Sequence, residues 1–306
     1  MMKRMIYTIG ETVYDIIFEN GNILAGKPGG SMLNASVTLG RMGYPVTFIS
    51  ELGNDDLGNL IHDFLGENNV VTDYMDRFDE GTTPVALAFL DRNKNARYSF
   101  LKHYPDKRLR QPFPKVNEND IVLFGSFFSL SQPVRMKVIN FVKEAKSAGA
   151  MVVYDPNIRR PHQSELPALL PMIAENFSLA DIVRASREDF ETIYGKRNPE
   201  EAFEIVHKYS DAAVIFTRDD QPVALAAGNF RKEYYVPQVQ VISTIGAGDT
   251  FNAAVAMSLT DLQMTSEKLR KASSGQWDEI IENGIRLSQQ VCLTFDNYIG
   301  TEAGNV

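Results

Sequence analysis

Short continuous apolar runs alternate along this chain with longer segments whose apolar residues recur at helical spacing. The runs at 5–10, 46–51, 121–124, 151–154, 182–185 and 214–217 predict buried strands. The periodic segments at 31–42, 56–66, 132–148, 166–177, 200–208 and 278–294 predict helices. Strand and helix in such succession predict a mostly parallel sheet covered by helices on both faces. Two places break the rhythm. Residues 13–24 alternate loosely and turn at Asn20-Gly21-Asn22, a hairpin signal. Residues 83–90 and 97–101 read as two strands around a turn at 91–95. Together these pieces predict a small separate sheet, a natural lid. Residues 223–227 and 234–236 predict an antiparallel edge.

Ligands in such sheets bind beyond the carboxyl ends of the strands. Asp155, Ser186, Thr217 and the loop Gly246-Ala247-Gly248-Asp249 all fall at or just after predicted strand ends. The loop says most. Phe251, Ala253, Ala254, Val255, Met257 and Leu259 predict a buried helix with Gly246 to Gly248 at its N-terminus. Backbone N–H groups there lack intrahelical partners and, with the helix dipole, form an anion site. Asp249 stands where a carboxylate can accept a proton from a hydroxyl beside that anion. This is equipment for moving a phosphoryl group onto an alcohol. The competing reading is an ordinary helix start, with Asp249 stabilising the first turn.

Other motifs carry less. Gly21 to Pro28 nearly fits a P-loop, but Pro28 offers neither the hydroxyl nor the N–H that the last position needs. Gly246-x-Gly248 lacks the third small residue of a dinucleotide fingerprint. Pro28-Gly29-Gly30-Ser31 feeds a second helix, with Ser31 as the expected N-cap. Asp155-Pro156-Asn157-Ile158-Arg159 puts a carboxylate, an amide and a guanidinium at one strand end. His62, His103, His162 and His207 show no metal spacing, and Ser126 is not in a nucleophile elbow. Trp277 reads as core.

The chain has 306 residues, enough for one large α/β domain or two smaller ones. Its net charge of −8 argues against nucleic-acid or anionic-membrane partners, though a local amide nest can still hold a phosphate. The single cysteine, Cys292, excludes an internal disulfide and fits a reducing compartment. No apolar run is long enough to span a membrane, so the expected setting is the cytoplasm.

The stretch Ser243-Thr244-Ile245-Gly246-Ala247-Gly248-Asp249-Thr250-Phe251 resembles the second signature of the ribokinase-like (PfkB) sugar kinases. The resemblance runs in order from Gly10-Glu11 to the final helix and is strongest to the fructokinase branch. It implies a ribokinase-like α/β three-layer sandwich with a mostly parallel central sheet. It implies one kinase domain over 1–306, with β-lid segments inserted at about 12–28 and 82–103. It implies transfer of the ATP γ-phosphoryl group to a sugar primary hydroxyl, fructose first. Asp249 would be the base, and Gly246, Ala247 and Gly248 the anion hole. Asp15, Gly29, Gly30, Asn34, Arg97 and Arg159 would bind the sugar. Asn157, Ser186, Asp189, Thr217, Thr244 and Asn283 would line the nucleotide, and Asp189 would reach Mg²⁺ through water. Relatives often pair through their lids, which implies a homodimer; Val85, Leu87 and Phe89 alternate as an interface strand would.

Some family elements are altered. Ser186-Arg187-Glu188-Asp189 stands for Asn-x-x-Glu, Asp219 for a glycine after Thr217, and Ser243 for an aspartate linked to a monovalent cation. The last puts K⁺ activation in doubt. Ribose, a nucleoside or 2-keto-3-deoxygluconate are alternative substrates. A non-catalytic sugar-binding relative is the alternative class.

Overall fold

The computed structural model describes residues 4–90, 96–158 and 165–301. The chain enters through strand β1 (Ile6–Ile9), then the hairpin β2 (Val13–Glu19) and β3 (Asn22–Gly29), then helix α1 (Ser31–Arg41). Next come β4 (Val46–Ile49), β5 (Glu51–Gly53), α2 (Asp56–Glu67), β6 (Val70–Val71) and β7 (Asp76–Phe78). A long antiparallel pair, β8 (Thr82–Leu90) and β9 (Ala96–His103), follows. The regular half contains β10 (Ile121–Gly125), α3 (Gln132–Ser147), β11 (Met151–Asp155), α4 (Leu166–Leu179) and β12 (Ile182–Ser186). It continues with α5 (Arg187–Tyr194), α6 (Pro199–His207), β13 (Ala213–Arg218), β14 (Gln221–Ala227) and β15 (Phe230–Tyr234). Helices α7 (Ala247–Asp261), α8 (Ser266–Arg270) and α9 (Ser274–Cys292) close the described chain.

The main sheet runs β15-β14-β13-β12-β11-β10-β1-β4-β6. All its ladders are parallel except those of β14 with β13 and β15. Strands such as Ile121–Gly125 and Met151–Asp155 are buried at every position because helices cover both faces. One core joins α1, α2, α7 and α9 to the sheet, with Trp277 1% exposed inside it. The other joins α3, α4, α5 and α6 to the opposite face.

The hairpin pairs with the long strands as β3-β2-β8-β9, so the two rhythm-breaking segments do form one small sheet. Residues 22–28 lie in strand β3, which leaves no P-loop there. The turn at 91–95 and His162 lie outside the described residues.

Several expectations need correction. Ser31 is not the N-cap of α1; Gly30 is, with a φ of 120° and no side-chain cap bond. The last edge strand ends at Tyr234 instead of beginning there. The final helix starts earlier, because Ser273 and Gln276 close a capping box before it. Helix α5 was not predicted from the sequence. Its eight residues open with Arg187-Glu188-Asp189, and its apolar face is short: Phe190, Ile193 and Tyr194.

Candidate active site

Helix α7 begins where the sequence places it. Gly246 caps it in the left-handed region, with a φ of 82°. A Cβ there would lie 2.0 Å from the Asn297 carbonyl oxygen, so the turn needs glycine on both counts. The first-turn N–H groups have no intrahelical acceptors. That of Ala247 turns back to the Thr244 carbonyl at 3.3 Å.

Asp249 sits in this first turn and is 8% exposed. Asn34 of α1 donates to one carboxylate oxygen at 2.8 Å. Asn157, just after β11, approaches the other at 3.5 Å. Asn157 itself holds a positive φ of 42°. Two amides from separate elements thus orient one carboxylate.

The small sheet brings Asp15 over the same place. Gly29 lies close to it across the β2–β3 hairpin: a Cβ on Gly29 would fall 2.0 Å from an Asp15 carboxylate oxygen. Burial pushes the Asp15 carboxyl up to about 7; Asp249 adds to this and Lys27 opposes it. Lys27 is the direct cross-strand partner of Asp15, so both face the same side. It donates to the Phe295 carbonyl.

Arg97 is not brought to this site. Asp15 pairs with Ala86, which pairs with Phe100, whereas Arg97 pairs with Phe89. Those positions differ by an odd number along each strand, so Arg97 projects from the opposite face, over the Phe89 ring at 5.0 Å. Arg159 lies outside the described residues.

At the other end of the sheet edge, side chains satisfy one another. Asp189 accepts from the Ser186 N–H at 2.8 Å, the Ser186 hydroxyl at 2.6 Å and the Ile158 N–H at 2.9 Å. Ser186 and Asp189 form the capping box of α5. Thr217 accepts from Arg184 at 2.8 Å. Thr244 is exposed. Asn283 is held between helices, donating to the Ser258 hydroxyl at 3.0 Å and accepting from Arg286.

Asp155 is fully buried, and burial raises its carboxyl well above the ordinary range; Arg184 and Asn252 pull it down, Asp189 and Asp249 push it up. Its Oδ1 has no partner. Among the described residues no cluster of three or more His, Cys, Asp or Glu could hold a metal by itself. The donors present are carboxylates, which suit a hard cation held mainly by phosphate oxygens and water.

Reading the sequence alone misses Arg184, Asn252 and Lys27. The signal for Arg184 was available: a lone charge inside the apolar run of β12.

The model of the pfkB family carbohydrate kinases matches residues 3–294. A probable chloroplastic fructokinase-6 from Arabidopsis thaliana is 28% identical over 257 residues, covering 80% of this chain and 66% of that protein. An aminoimidazole riboside kinase from Salmonella enterica, complexed with aminoimidazole riboside and an ATP analogue, superposes with a TM-score of 0.84 at 20% identity, covering 99% of each chain. A fructokinase double mutant from Vibrio cholerae, with fructose, ADP and potassium ion bound, gives a TM-score of 0.83 at 19% identity, covering 99% of this chain and 97% of that one. At such identities the two structures establish the fold alone.

Proposed function

Because the chain belongs to the pfkB family of carbohydrate kinases, phosphotransferases that act on sugar hydroxyls, we propose that it transfers the γ-phosphoryl group of ATP to the primary hydroxyl of fructose. The observation that carries this reading is Asp249, oriented by Asn34 and Asn157 in the first turn of α7 beside Gly246, Ala247 and Gly248.

Asp15, Gly29, Gly30 and Asn34 bind the sugar hydroxyls. Asp249 takes the hydroxyl proton. The freed oxygen pair forms the new bond to the γ-phosphorus as the bond to ADP breaks, and that pair leaves on the β-phosphate oxygen. The amides of the Gly246–Gly248 turn face the charge that develops, the largest electrostatic contribution to such a step. Asn157, Thr217 and Thr244 border the phosphates. Ser186 and Asp189 hold the loop that carries Asn157. Mg²⁺, when bound, would neutralise part of the phosphate charge; Asp155, whose Oδ1 has no partner, and Asp189 would hold its water shell.

The small sheet, with segments at about 12–28 and 82–103 in a single kinase unit, closes over the sugar and excludes water. Its outward apolar positions, with Ile23 67% and Leu101 57% exposed, support pairing of two copies through the lid. The reading places the enzyme in the cytoplasm. Among the described residues no helix is long and apolar enough to cross a membrane.

A second substrate class has one observation in its favour. Lys27 sets a cation beside Asp15 on the site-facing side of the lid, which suits an acidic sugar such as 2-keto-3-deoxygluconate. ADP release by the purified protein with Mg-ATP, against fructose, ribose, a nucleoside and 2-keto-3-deoxygluconate, separates these. Turnover on fructose, lost in Asp249→Asn while sugar binding survives, is the expected result. Near wild-type turnover in Asp249→Asn sinks the assignment. Sugar binding without turnover on any substrate returns the chain to a binding protein on a kinase scaffold.

A further inference from the structure

We propose that Arg184, in strand β12, is a further catalytic residue that contacts the transferring phosphoryl group beside the α7 amides. This rests on the kinase reading above and adds to it a charged group that the sequence motifs do not contain.

Arg184 interrupts the apolar run Ile182-Val183-Arg184-Ala185 and is 7% exposed. A guanidinium in such a place is costly unless it is paired or serves a ligand. Its pairing is incomplete. It has five N–H donors. One terminal nitrogen donates to Thr217 Oγ1 at 2.8 Å, and the other reaches Asp155 Oδ2 at 3.3 Å. The Nε is buried with no acceptor. A structural ion pair built around Asp155 would show the shorter, forked geometry of about 2.7–2.9 Å. Here the same Asp155 oxygen is already taken by Asn252 at 2.5 Å. Asp155 therefore accounts for only part of the guanidinium.

The two terminal nitrogens, each with one N–H still to place, lie against the first turn of α7. A Cβ on Gly248 would lie 2.7 Å from one terminal nitrogen of Arg184 and 3.0 Å from the other. The guanidinium thus fills the space a side chain would occupy on the first turn of α7. A phosphate oxygen that accepts from the turn amides would lie beside those nitrogens. Thr217 fixes the guanidinium from the neighbouring strand, and the Phe251 ring, 5.7 Å from its central carbon, flanks it. A planar, permanently charged fork held in advance is suited to a group whose negative charge shifts during transfer.

The test uses the full chain and three readouts: turnover, calorimetric binding of the ATP analogue AMP-PNP, and binding of AMP, which lacks the outer phosphates. Arg184→Gln is expected to lower kcat by about 10²–10³-fold, the size of losing one preorganised donor. AMP-PNP binding is expected to weaken by at least about tenfold through the lost charge-assisted contact, while AMP and sugar binding stay unchanged. A purely structural role would weaken all ligands alike or lower only the melting temperature. Arg184→Lys keeps a charge beside Asp155 and guards against misfolding of the first variant. It is expected to retain the wild-type melting temperature and lose at least about tenfold in kcat, because an ammonium lacks the fork; a smaller loss overturns the proposal. Wild-type turnover with Arg184→Gln unaffected removes Arg184 and leaves the kinase. No turnover in the wild type, with AMP-PNP binding that depends on Arg184, removes the kinase reading and keeps the phosphate contact. Absence of AMP-PNP binding in the wild type overturns both.

Discussion

On the lid side of Asp249, polar groups from separate elements are gathered around the carboxylates of Asp249 and Asp15. Asp15 stands where Gly29 has no side chain, Asn34 reaches Asp249, and Lys27 stands across the ladder from Asp15. On the β12–β13 side, polar groups are mostly spent on one another: Ser186 and Asp189 cap α5, and Arg187 pairs with Asp219. The difference teaches where ligand free energy is available. Groups already paired must lose a partner to gain a ligand, so the net return is small. Groups fixed in place by backbone geometry, as Asp15 is beside Gly29, gain a ligand at little reorganisation cost. In the proposed function the lid side, which would bind the sugar, is therefore preorganised, and the β12–β13 side, which would bind the nucleotide, would rely on backbone amides and on Arg184.

The largest expected effect breaks the link between the halves. Asp249→Asn should lower kcat by about 10²–10⁴-fold, the range for losing a general base, and leave sugar affinity within about twofold. Loss of sugar binding as well would mean that Asp249 is a binding group first. Next in size is Gly29→Ala. The new Cβ would sit 2.0 Å from the Asp15 carboxylate, which must move. A displacement of that kind is expected to raise the sugar KM by about 10–100-fold. AMP-PNP affinity should not change. Steady-state kinetics and calorimetry on the same preparation check both parts, and a fall in AMP-PNP affinity would show that the halves are not separable.

The fold was largely legible because parallel strands covered on both faces must be apolar at nearly every position. Ile121–Gly125 and Ala213–Arg218 announce themselves in this way. Helix α5 does not, because it is short and its N-terminal turn is charged; its stability comes from a cap and from packing that sequence periodicity does not register. In the site, Asp249 was legible as a candidate because glycines and an aspartate opening an apolar helix make an anion site beside a carboxylate, although an ordinary helix start uses the same residues. Arg97 misled because the face it occupies depends on the β8–β9 register, where one residue of slip reverses every side chain. Arg184 shows in the sequence only as a lone charge in an apolar run, and its place against the Gly248 backbone is set by tertiary packing.

Asp15 offers a smaller and pH-dependent test of the lid half. Its folded carboxyl is pushed from 3.8 up to about 7, chiefly by burial. Between those values the folded state binds more protons than the unfolded one, so this group lowers stability as pH rises from about 4 to 7. Asp15→Asn removes the penalty. The variant should therefore gain on wild type, by on the order of 1–3 kcal/mol, between pH 5 and pH 8, with Lys27 offsetting part of it. Urea midpoints at the two pH values measure this. An unchanged difference would mean that Asp15 is solvated and not preorganised for a ligand.

The smallest expected effect probes the other half. Ser186→Ala removes the side chain that accepts from Asp189 N–H at 3.1 Å and donates to the Asp189 carboxylate at 2.6 Å. Losing an N-cap of this kind costs about 0.5–2 kcal/mol. Urea unfolding should show that loss, while AMP-PNP affinity stays within about twofold, since a group spent on its own helix has little to offer a phosphate. The opposite pattern, unchanged stability with weakened AMP-PNP binding, would place Ser186 in direct contact with the nucleotide. The β12–β13 half would then release its internal bonds when ligand arrives, and the contrast between the two halves would hold only before binding.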